Sequence, residues 1–257
     1  MKLALIRLVV IGAPLVLGLV EIWHFESLPF DSEGNLGPFT RYRVLAPVID
    51  QWLIIHLVQV PLLALVGLGV YLIVRGLNSI VAIVARVSMV VFVVFYTVLD
   101  AVAGIAIGVL VRDTKELSVS QQNAVEGAIE ALWNNPIVGN VSLFSWTGAL
   151  AWMIGVISAA IGIRLAGAPR GPVALMILAA LIFGMSHASP NGPIGMACLV
   201  AAFVWIEFFP DSTRTSTTNQ KADQSGEKEP ITNISTDTES PTKEMSTRKG
   251  RRKRRRM

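Results

Sequence analysis

Long apolar runs without charges, separated by short polar breaks, follow one another from near the start of the chain to Phe209 and then cease. The runs are continuous rather than alternating, which argues against half-buried strands. About 30 Å of hydrocarbon takes ~20 helical residues to cross, and a helix closes its own backbone hydrogen bonds where no water can. The pattern predicts spans at Leu3–Trp23, Trp52–Val74, Val87–Val111, Ser145–Leu165, Pro172–His187 and Pro193–Phe209. The expected fold class is therefore all-α: a polytopic integral membrane bundle of six transmembrane helices, residues 1–209. Outer segments fall at about 25–51 and 112–144, and residues 210–257 form a disordered basic tail.

Two spans need separate argument. Lys2 and Arg7 accompany the first apolar run as in a signal peptide, but no small-residue cleavage motif follows it, so an uncleaved helix is expected. The fifth and sixth runs are short and joined by Ser189-Pro190-Asn191-Gly192-Pro193, which also suits a hairpin reaching part way across. The polar, charged tail after the sixth run favours two full crossings. Between the third and fourth spans, Asp113 to Trp133 reads as an amphipathic surface helix, either a lid or a solvated connector.

Charge orients this bundle. Lys2, Arg7, Arg75, Arg86, Arg164 and Arg170 lie at one set of span ends with the basic tail, whereas the opposite segments carry Arg41, Arg43, Arg112 and Lys115 among carboxylates. Both termini are expected to be cytoplasmic. Trp23, Trp52, Trp146 and Trp152 fit an aromatic belt toward the outer side. Short loops suggest a bacterial inner membrane. The run Arg248 to Arg256 suits anionic lipid headgroups at about 1 kcal/mol per basic residue, or serves only as an orientation signal. Without interleaved aromatic residues it argues against nucleic acid. The single Cys198 excludes an intramolecular disulfide.

Candidate chemistry rests on polar residues inside the apolar runs. Asp100 lies past the middle of the third span, and an anion facing lipid there costs several kcal/mol. It should face the interior, with Gly104 and Gly108 allowing another helix to approach. His56 shares a helix face with Gln59; His187 follows Ser186; His24 stands three residues after Glu21. All three histidines of the chain fall at the same end of the spans. We expect His56, Asp100 and His187 to converge on one polar site opening outward, with His24, Glu21 and Gln59 at its rim.

Three function classes fit such a site. One is a binding or redox module in which His56, His187 and His24 hold zinc, copper or haem iron. Another is an intramembrane metal-dependent hydrolase with Asp100 or Glu21 handling protons. The third is a small transporter or proton-linked sensor, for which six spans are few unless the chain forms a homo-oligomer. A purely structural component explains the glycines and the tail but not Asp100. No Gly-rich phosphate loop, Gly-x-Ser-x-Gly elbow or His-Glu-x-x-His helix occurs, which disfavours nucleotide binding, serine hydrolysis and zincin chemistry.

Overall fold

A backbone in hydrocarbon has to satisfy its hydrogen bonds within each segment, and helices make up the bundle, with no strand among the described residues. The computed structural model describes residues 2–24 and 40–208. Asp31, Glu33 and the tail with Arg248 to Arg256 lie outside the described residues.

Five helices are long and apolar enough to cross a membrane: α1 (Ala4–Glu21), α2 (Arg41–Val74), α3 (Ile80–Thr114), α5 (Leu143–Leu165) and α7 (Asn191–Phe208). Between α3 and α5 lies α4 (Val119–Trp133), and between α5 and α7 the shorter apolar α6 (Arg170–Met185). The chain is thus an all-α membrane bundle, with the fifth apolar run forming a helix of 16 residues that stops before His187.

Where the helices differ from the apolar runs, polar residues explain it. Helix α2 begins at Arg41 rather than near Trp52, because Tyr42, Leu45 and Ile49 continue its buried face while Arg41, Arg43 and Asp50 stay polar. Helix α3 likewise extends past both predicted ends. Asp113 belongs to α3, not to α4, whose start is set by Ser118: its backbone N–H donates to Gln121 Oε1 at 3.2 Å. At the start of α5, Ser142 N–H donates to Ser145 Oγ at 2.8 Å. The same helix ends on Gly167 at φ 98°, with Ala168 N–H donating to Ile163 O at 2.9 Å. A side chain at that left-handed position would be strained.

Small residues set the closest packing. Helices α3 and α5 meet through Ala82, Ala85, Gly148 and Gly155, and a Cβ on Gly155 would run into Met89. Around this seam Phe92, Trp152 and Phe183 are fully buried, with Phe92–Trp152 and Trp152–Phe183 ring centroids both 5.0 Å apart. Trp152 is therefore a core residue, and Trp52 is also buried, so neither belongs to an aromatic belt. Trp23 and Trp146 are exposed. A second, smaller apolar cluster joins Tyr42, Leu45, Ile49, Ile107 and Val111 to Ile129 of α4. Arg41 fastens the same contact: its guanidinium lies 3.0 Å from Glu130 Oε2 and 4.2 Å from the Trp133 ring centre.

Candidate functional site

Helix α3 is wound more loosely over Asp100–Ala106, a π-helical stretch inside the span. Such stretches leave carbonyls without their usual helical partner, and here the Trp52 indole N–H donates to Gly104 O at 2.8 Å. Gly104 is required because the His56 ring lies against it; a Cβ there would collide with that ring. Trp52 holds the site from its backbone too, since its carbonyl is 2.8 Å from His56 Nδ1. If that contact is an Nδ1–H donor, as the carbonyl requires, Nε2 is left as the lone-pair nitrogen. Trp52 was not among the site residues expected from sequence, where its position near a span end suggested only an interfacial aromatic.

His56 Nε2 faces Asp100 Oδ1 at 3.7 Å, too far for a direct hydrogen bond. His24 stands between the other two imidazoles rather than at an edge: its ring centre is 5.2 Å from that of His56 and 5.1 Å from that of His187. Tyr96 of α3 adds a further aromatic wall, its ring centre 5.6 Å from that of His187. Just below, Gln59 Nε2 donates to Glu21 Oε1 at 2.7 Å, a buried pair that does not line the cavity. Glu21 ends α1, where the helix dipole opposes an anion.

The cavity has a volume of about 340 Å³ and is lined on its inner side by His24, His56, Asp100 and His187. Among the described residues, no Lys or Arg lines it. Glu21 Oε2, Gln59 Oε1, Asp100 Oδ2 and both ring nitrogens of His24 are buried without a hydrogen-bond partner among the described residues. His24 lies just beyond α1, and burial first, then the imidazoles of His187 and His56, hold it well below the usual imidazole range. It is therefore neutral at pH 7, the form that binds a metal or accepts a proton. Among the described residues, no group of three or more His, Cys, Asp or Glu side chains is arranged to hold a metal ion. The outer-segment cations Arg41 and Arg43 lie outside this cluster, pairing with Glu130 and Glu126 at 3.0 Å and 3.6 Å.

The chain matches no family model, no curated protein and no solved structure.

Proposed function

We propose that this membrane protein binds a divalent transition-metal ion through His24, His56, His187 and Asp100. One observation carries the reading: the unmatched atoms of Asp100 and His24 gather at a cavity that no Lys or Arg among the described residues lines. Buried carboxylates without a basic partner call for a cation, and imidazole nitrogen with carboxylate oxygen suits zinc and its neighbours. The His56 contact to the Trp52 carbonyl is the support that metal-bound imidazoles use to fix their ring. The donors do not converge as they stand. The adjustment falls to His24, whose ring nitrogens are held by no hydrogen bond among the described residues. Ligand pockets run from roughly 300 to 1,000 Å³, and a cavity of about 340 Å³ favours an ion with a small ligand over haem.

The Lys and Arg asymmetry supports a cell-membrane orientation with both termini cytoplasmic, so that the site lies toward the outer face. The test of the function is metal analysis of the full chain purified in detergent and loaded with zinc, followed by dialysis. Wild type should retain the ion, and His56→Ala, His187→Ala and His24→Ala should each lose it. His24 is included on equal terms because it lies between the other rings. Failure of wild type to retain zinc, copper or nickel, together with a conformational titration below the usual imidazole range, where burial holds His24, would assign the cluster to protons and reject the metal reading.

A further inference from the structure

The cavity is amphipathic from end to end. Its floor is the imidazole and carboxylate cluster, and its mouth is framed by Val141, Trp146 and Met185, which are 72%, 60% and 80% exposed. Exposed apolar residues are ordinary on the lipid-facing surface of a bundle; what distinguishes these is that they line the same cavity as the buried histidines. Trp133 and Asn140, from α4 and the turn after it, also line the cavity. The exposed members of the lining come from the turn before α5, the first turn of α5 and the end of α6, next to apolar surface of the bundle.

The length of α6 explains the opening. Its 16 residues, at about 1.5 Å each, reach about 24 Å, short of the roughly 30 Å of hydrocarbon. The wall of the bundle is low where α6 ends at Met185, beside the cavity mouth.

We propose that the cavity admits a single-chain amphiphile from the bilayer, its uncharged polar head directed to the histidine cluster and its chain leaving past Trp146 and Met185. This inference rests on the proposed cation site for how a hydroxyl or carbonyl head is held. A phosphate head is disfavoured, because among the described residues the lining offers it the Asp100 carboxylate and no Lys or Arg, leaving the cation alone to balance its charge without the Arg, Lys or backbone N–H donors that phosphate recognition uses.

The experiment uses the full chain reconstituted in phosphatidylcholine vesicles with a long-chain alcohol bearing a diazirine and a terminal alkyne. After irradiation, label should concentrate on the peptides containing Trp146 and Met185 and fall several-fold with excess unlabelled hexadecanol. Hexadecyl phosphate should compete poorly. Met185→Asp should reduce labelling several-fold while leaving zinc content unchanged, which also shows that the variant folds. Label spread over lipid-facing positions such as Leu178 and Leu181, without competition, would overturn the proposal, as would equal competition by the phosphate. Retained zinc with unfocused label defeats this inference alone, whereas focused, competed label without retained zinc defeats the metal reading alone.

Discussion

Two regions of the bundle are both buried and built in opposite ways. Around Phe92, Trp152 and Phe183, aromatic rings and small residues fill the space, and the Trp152 indole N–H is the unpartnered polar atom there. His24, His56 and Asp100 are also buried, though they line a cavity, and here acceptors and imidazole nitrogens go unmatched. An unsatisfied buried group costs about 1–3 kcal/mol. The first region uses burial to hold helices together, and the second holds costly groups in place against stability. Burial by itself therefore does not mark a core; the balance of donors and acceptors inside it does.

The largest expected effect tests that contrast directly. In lipid, helices associate through packing rather than through hydrophobic transfer, so truncating a fully enclosed ring leaves a cavity with nothing to refill it. Trp152→Ala should cost about 3–5 kcal/mol, read as a lower unfolding midpoint in detergent, while Trp152→Phe keeps the ring contacts and should cost far less. Asp100→Asn should do the reverse of Trp152→Ala: retained zinc is lost and the midpoint stays level or rises, because an amide of the same shape replaces a carboxyl group that is costly to ionise in a buried site. A drop for Asp100→Asn as large as that for Trp152→Ala would make the polar cluster a packing element.

The same contrast governs what the sequence could disclose. Apolar runs report the membrane spans because hydrocarbon excludes charge along a whole helix, and the all-α bundle follows from them. Once a helix leaves the bilayer the signal disappears, so the first turns of α2, where Arg41 and Arg43 pair with Glu130 and Glu126 while Tyr42 and Leu45 are buried, read as loop. The costly residues His56, Gln59 and Asp100 stood out because polar groups in such runs are rare. What orients them did not: the loosened turn at Asp100–Ala106 and the two-ended hold of Trp52 depend on a contact between α2 and α3, 52 residues apart in sequence. Likewise, nothing local distinguishes Trp152 in the core from Trp146 at the surface.

A smaller effect should sharpen the link between backbone and site. Gly104→Ala places a methyl group against the His56 ring, and overpacking of this kind costs about 1–3 kcal/mol. The ring has to move, so zinc retention should fall with stability. Gly76→Ala, which meets no atom within 4 Å, should leave both unchanged. If Gly104→Ala destabilised the fold but kept its zinc, the π-helical turn would not be what positions His56.

The smallest effect concerns the cover over the cavity. Arg41 contacts Glu130 twice, through its backbone N–H at 2.8 Å and its guanidinium at 3.0 Å, and the guanidinium also lies over Trp133. Because the pair is only partly shielded from water, Glu130→Gln should cost at most about 1 kcal/mol and leave the unfolding midpoint nearly unchanged. Amide exchange over residues 119–133 should nonetheless quicken several-fold, since local opening depends on local contacts rather than on global stability. Asp113→Asn, at an ion pair exposed on both sides, should not alter that exchange. A large fall in the midpoint for Glu130→Gln would mean that α4 is part of the core that holds the spans together. Unchanged exchange would mean that Ile129 and its apolar neighbours, rather than the Arg41 contact, hold the cover down.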